Sequence, residues 1–206
     1  MDALILVDIQ NDFLPGGALA VPRGDEIIAT ANRLQERFGL VVATQDWHPA
    51  GHASFASSHP GKNVYDAVMI DGVEQILWPD HCVQGSRGAE LARAFNTNRV
   101  EAIFRKGTDP GIDSYSAFYD NARRKSTGLE GYLKWKKVDR VVLAGLAADF
   151  CVSYSIMDAL AMGFGAVLVK DATRAISEEG FRAAEKAILA KGGTIALSEE
   201  LFAPNK

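Results

Sequence analysis

The 206-residue chain is short of cysteine and histidine, with two of the first and four of the second. Two cysteines, Cys82 and Cys151, make no disulfide framework, and without an export signal they point to a reducing cytoplasm. The N-terminal stretch MDALILVDIQ lacks a basic n-region, and its apolar run stops at an acid, so it does not read as a signal peptide. No apolar run approaches the ~18 residues of a membrane span. No basic run is present and the net charge is −4, which argues against nucleic acid as a partner. Repeats, low-complexity stretches and linkers are also missing, so residues 1–206 read as a single domain. What remains is 48% hydrophobic and 23% charged, enough apolar material to bury a core at this length.

The apolar segments are short and recur. Ala3–Val7 (ALILV) is too short for a helix and fits a strand buried on both faces. Similar runs occupy Leu40–Gln45, Val100–Phe104, Val141–Ala144, Ala166–Val169 and Thr194–Leu197. Helical periodicity covers Asp25–Phe38, Gly128–Lys136, Cys151–Met162 and Glu178–Lys191, with a short helix expected at Ala89–Phe95. Asp25 reads as an N-cap and Gly39 as a stop. Strands alternating with helices predict a three-layer α/β/α fold around a six-stranded, mainly parallel, Rossmann-like sheet. From Trp47 to about Gly88 the pattern is lost among prolines, glycines and aromatics, and a loop that long is usually functional.

Ligands in such sheets bind beyond the carboxyl ends of the strands. The residues that end the apolar runs are Asp8, Asp46, Lys106 and, past a glycine corner, Cys151. Singly each has an ordinary explanation: an acid as turn residue, a lysine as solvated side chain, a cysteine as small hydrophobe. Asp149 reads most simply as an N-cap for the helix after it. Together Asp8, Lys106 and Cys151 supply a proton acceptor, a cation and a nucleophile. Cys151 is expected in the first turn of a helix, where exposed N–H groups favour a thiolate. The small residues of the preceding corner, GLAAD, can turn backbone N–H groups toward an oxyanion. That chemistry is acyl transfer through a thioester.

All four histidines, His48, His52, His59 and His81, fall in the irregular segment. Asp46 and His48 are two apart and share one side of an extended chain. His52 follows four residues on, and His81 closes the segment after Trp78-Pro79-Asp80. One carboxylate with two or three imidazoles suits zinc, manganese or ferrous iron. Cys82 is read as core and His59 as a solvent residue.

These blocks in this order resemble the nicotinamidase/pyrazinamidase family, a branch of the isochorismatase-like cysteine hydrolases. The matching stretches are LVDIQNDF (6–13), TQDWHPAGHASF (44–55), WPDHCVQ (78–84), RKG (105–107), DSYSAF (113–118) and GLAADFCV (145–152). The resemblance implies that Asp8 is general base and then acid, Cys151 the nucleophile, and Lys106 the residue that orients Asp8. It implies an oxyanion hole from the backbone N–H groups of Ala147 and Cys151, after a cis Leu146–Ala147 peptide. One divalent metal, zinc ahead of manganese or iron, would be held by Asp46, His48 and His81, with His52 a fourth ligand or a supporting residue. Phe13 and Trp78 would pack on the substrate ring and Tyr115 would close the pocket. The implied reaction is nicotinamide plus water giving nicotinate and ammonia, a salvage step toward NAD, with pyrazinamide as a second substrate. A related hydrolase of another small amide or N-carbamoyl compound is the nearest rival, and a homo-oligomer is left open. Where the family often has Thr and Tyr in the corner, this chain has Ala148 and Phe150.

Overall fold

In the computed structural model, which describes residues 1–202, β1 (Asp2–Val7) lies inside a six-stranded sheet and is buried on both faces. Successive strand side chains point to opposite faces. Leu4 and Leu6 therefore enter one core cluster, and Ala3, Ile5 and Val7 the other. On the first face Ile28, Ala31 and Leu34 of α1 (Ile28–Leu34) cover the sheet. On the second, Leu129 and Leu133 of α2 (Leu129–Trp135), Ile156 and Ala159 of α3 (Ser153–Ala161), and Ile188 of α4 (Glu178–Ala190) do so. Each such leucine or isoleucine side chain contributes ~1.5–3 kcal/mol of burial. A short α5 (Ser198–Phe202) follows the last strand.

The sheet order is β5-β2-β1-β6-β7-β8, and every neighbouring pair is parallel. Its other members are β2 (Leu40–Asp46), β5 (Ala102–Lys106), β6 (Arg140–Leu146), β7 (Gly165–Arg174) and β8 (Thr194–Ala196). From β1 the chain moves outward through β2 to β5, then returns to β6 on the other flank of β1. The switch point thus lies between β1 and β6, where doubly wound sheets place their crevice. Gly145 makes the close approach there: its φ is 122°, and a Cβ would collide with the Val7 backbone.

Several sequence expectations are corrected. Ala89–Phe95 is not helical; Leu91 bridges Gln10 and the Ala92 N–H bonds to Ile9, so this segment pairs with the chain just past β1 instead. The irregular segment contains an antiparallel hairpin, β3 (Ala67–Ile70) with β4 (Val73–Ile76). The helix expected from Asp25 starts as a 3-10 turn at Gly24 with Arg23, not Asp25, at its cap. A π-turn, Ala148–Val152, precedes α3 and carries Cys151. No helix among the described residues is long and apolar enough to cross a membrane.

Candidate active site

Strands β5, β1 and β6, the first two separated by β2, end on the same side of the sheet and deliver three buried groups to one point. Asp8 follows β1 with φ 48°, Lys106 is the last residue of β5, and Cys151 sits in the turn after β6. Lys106 Nζ lies 2.9 Å from Asp8 Oδ2 and donates to Cys151 Sγ across 3.4 Å. It also donates to the Ser114 carbonyl at 2.9 Å and to Asp46 Oδ1 at 3.1 Å. Burial works against the Lys106 charge, but Asp46 and Asp8 outweigh it and hold the pKa well above its ordinary value. Burial pushes Asp8 up, with Lys106 opposing and Asp46 adding to the rise. Burial also pushes the Cys151 thiol well up, against the pull of Lys106. Burial thus opposes the thiolate that the helix position favours, so a base is needed to take the thiol proton.

The Leu146–Ala147 peptide is cis, and the Ala147 carbonyl accepts the N–H groups of Phe150 and Val152. Asp149 does not cap the following helix. Its oxygens accept the N–H groups of Ile176 at 3.0 Å and Ser177 at 2.9 Å, which docks the cysteine turn onto the start of α4.

Beside this group, one ligand atom each from Asp46, His48 and His81 lies within 4.8 Å of the others. Asp46 Oδ2 is 3.0 Å from His48 Nε2 and 3.5 Å from His81 Nε2. The other ring nitrogens face backbone carbonyls: His48 Nδ1 is 3.0 Å from Gly107 O, and His81 Nδ1 is 2.8 Å from Pro79 O. Donating there leaves both Nε2 lone pairs for a cation, the usual support of a metal-ligating histidine. This donor set fits a divalent transition metal. His52 is different. Its Nδ1 accepts the Ser54 N–H, its Nε2 sits 3.3 Å from the Ile112 carbonyl, and its ring packs on His48 with centroids 4.4 Å apart. His52 thus supports His48, and its nitrogens are engaged elsewhere. His59, expected in solvent, is half-buried with Nε2 2.7 Å from the Ala53 carbonyl. Cys82 is fully buried.

One pocket is lined by residues of both groups, Cys151 and Ala147 from the first and Asp46 and His81 from the second. Phe13, Trp78 and Tyr115 line it, together with Leu19, Phe150 and Ile176. Trp78 Nε1 and Gln75 Nε2 both donate to the Tyr115 hydroxyl, at 3.2 and 3.0 Å. Burial, then Asp113, push that phenol far above its ordinary value, so it stays neutral.

Sequence reasoning missed several contributors. Gln10 clamps the Asp46 backbone, accepting its N–H and donating to its carbonyl, both at 2.8 Å. Asp12 Oδ2 accepts the N–H of Cys82, next to His81, at 2.7 Å. Asp113 lines the pocket with Oδ1 3.9 Å from His48 Nε2. Phe150 packs edge-on against Trp78, centroids 4.9 Å apart. Gln10, Asp12 and Asp113 lie inside the family-like motif stretches, and that position is the signal that could have marked them.

A family model described as the isochorismatase domain matches residues 2–200. The chain is 48% identical over 179 residues to the nicotinamidase of Escherichia coli (strain K12), covering 85% of this chain and 84% of that protein. Among solved structures it is similar to an Acinetobacter baumanii nicotinamidase/pyrazinamidase, with TM-score 0.95, 42% identity and 97% of each chain covered. It is also similar to the pyrazinamidase of Pyrococcus horikoshii in complex with zinc, with TM-score 0.78 and 36% identity, covering 95% of this chain and 98% of that one.

Proposed function

The chain belongs to the isochorismatase family, and from that premise we propose that it hydrolyses nicotinamide to nicotinate and ammonia through a thioester on Cys151. Pyrazinamide, its pyrazine analogue, is the second substrate. The observation that carries this reading is the single ammonium of Lys106, within reach of Asp8, Asp46 and Cys151, the last two of which line the aromatic pocket.

The ring enters between Phe13 and Trp78, with Tyr115 closing the pocket over it. Cys151 Sγ attacks the carboxamide carbon while Asp8 Oδ2 takes the thiol proton. Backbone N–H groups of Ala147 and Cys151 face the oxygen that gains charge. The C–N bond breaks as Asp8 returns that proton to the leaving nitrogen, and ammonia departs. Water then attacks the thioester carbon and loses its proton to Asp8. The C–S bond breaks, the sulfur recovers that proton from Asp8, and the acid leaves as nicotinate, its remaining proton passing to solvent. Lys106 stays protonated throughout and balances charge that moves between Asp8 and Cys151. A divalent metal, zinc by this reading, would be held by Asp46, His48 and His81 and would supply a Lewis acid to hold the ring nitrogen. Both thiols are free, which suits a cytoplasmic enzyme. The product feeds salvage toward NAD.

The nearest rival substrate is another small amide or an N-carbamoyl compound. An aliphatic N-carbamoyl compound has no ring nitrogen to meet the Asp46–His48–His81 cluster and no flat ring for the aromatic walls. The test is ammonia release from nicotinamide, pyrazinamide and an N-carbamoyl amino acid, before and after chelation. Turnover of the two ring amides, lost with chelator and restored by zinc, is expected. Preferential turnover of the carbamoyl compound, indifferent to chelator, would replace this assignment.

A further inference from the structure

Thr44 makes and breaks no bond in the thioester reaction, yet it holds Asp8 at two points. It lies in β2, two residues before Asp46, and is fully buried. Its hydroxyl accepts the backbone N–H of Asp8 at 3.2 Å and donates to Asp8 Oδ1 at 2.6 Å. A hydroxyl has one proton to give. With the Asp8 N–H on the oxygen side, that proton is directed onto Oδ1. The same side chain therefore fixes the left-handed backbone of Asp8, φ 48°, and the orientation of its carboxylate.

The two carboxylate oxygens are left unequal. Oδ1 is occupied by Thr44. Oδ2 is buried, lies 2.9 Å from Lys106 Nζ, and accepts no aligned hydrogen bond among the described residues. We propose that Thr44 is a positioning residue for the cysteine chemistry: it occupies Asp8 Oδ1 so that Oδ2 alone shuttles the proton between Cys151 and the leaving nitrogen. This rests on the thioester reading and adds to it which oxygen works and why.

The groups facing Asp8 are Lys106 from β5, Asp46 from β2, the Cys151 thiol from the π-turn, and the Cys82 thiol from the irregular segment. Burial raises the Asp8 pKa, Lys106 lowers it, Asp46 raises it, and the Thr44 bond lowers it. A donor to the charged form favours that form. Removing the hydroxyl therefore leaves a carboxylate that protonates at higher pH and is free to turn.

The experiment compares Thr44→Val and Thr44→Ser in the metal-loaded enzyme. Valine keeps the shape and deletes the donor, while serine keeps the donor. Two readouts are taken against pH: kcat/KM on nicotinamide, and the rate of Cys151 alkylation by iodoacetamide, which needs no amide substrate. For Thr44→Val the loss of a hydrogen bond to a charged group is expected to lower kcat roughly 10- to 100-fold, with KM little changed. Its acid limb moves up by about one pH unit in both readouts. Thr44→Ser is expected within about threefold of wild type, its limb unmoved. A Thr44→Val enzyme with unshifted limbs and unimpaired kcat would overturn the proposal, as would Thr44→Ser being as impaired as Thr44→Val. If Thr44→Val does not fold, Thr44→Cys, a weaker donor of similar bulk, is expected to fall between wild type and a full loss, and an unmoved limb there overturns the proposal equally. If wild type releases no ammonia from nicotinamide, the substrate assignment fails, and the alkylation profiles still decide the role of Thr44.

Discussion

Lys106 Nζ donates to Asp46 Oδ1 across 3.1 Å, and this bond joins the Asp8–Cys151 group to the Asp46–His48–His81 cluster. The same ammonium pairs Asp8, so two buried carboxylates depend on one cation. Replacing Lys106 by Met leaves both acids without it, and unpaired buried charge is costly. The variant is expected to lose turnover and roughly 3–5 kcal/mol of stability, read from denaturant midpoints. A variant as stable as wild type would mean that the carboxylates find other partners.

Gly107 stands one residue beyond and has no freedom to change. Its φ is 63°, its carbonyl faces His48 Nδ1, and a Cβ would run into the His48 imidazole and Asp46 Oδ1. Gly107→Ala is expected to weaken zinc binding roughly 10- to 100-fold, the usual effect of disturbing a ligand's support. Calorimetric titration of the metal-free protein checks this, and unchanged affinity would show that the loop yields.

Asp149 ties the cysteine turn to the segment carrying Ile176, a wall of the pocket. Asp149→Ala removes an acceptor from two N–H groups at the start of α4. A stability loss of about 1–2 kcal/mol is expected, as for a lost cap. KM should rise several-fold as Ile176 loosens, and steady-state kinetics with thermal denaturation separates the two effects.

The pH dependence follows from the pair Asp8 and Cys151. The base must be ionised, and burial raises its pKa above the ordinary 3.8, so activity falls as pH drops through that raised value. The thiol proton must be present to reach the leaving nitrogen, and burial raises that pKa well above 9.0, so the alkaline limb lies beyond it. A kcat/KM profile flat through neutrality, with both limbs belonging to the coupled pair, is expected. For folding the sign is opposite to that of a salt-bridged acid: the contribution of Asp8 is fullest below 3.8 and is lost as pH rises through its raised value. An alkaline limb near neutrality would mean a thiolate at rest.

Strand ends are legible in the sequence because a polar residue interrupts an apolar run, which is what marks Asp8, Asp46 and Lys106. The hairpin Ala67–Ile76 is not, because its four-residue strands are half-exposed and carry no long apolar run. The false helix at Ala89–Phe95 has helix-forming residues, but its backbone bonds to Ile9 instead. Thr44, Gln10 and Asp149 act through partners 36, 36 and 27 or 28 residues away; the parallel register of β1 and β2 brings the first two to theirs, and the docking of the cysteine turn on the start of α4 brings the third. The raised thiol pKa escapes a sequence reading for a related reason: helix position is local, whereas burial is set by the whole fold.

The most direct test is ammonia release from nicotinamide by the zinc-loaded wild type and by Cys151→Ala, with intact-mass analysis of the wild type quenched during turnover. Turnover by the wild type alone, with a nicotinoyl adduct on Cys151, is the expected result. Ammonia release by Cys151→Ala at a rate near that of the wild type would contradict thioester catalysis.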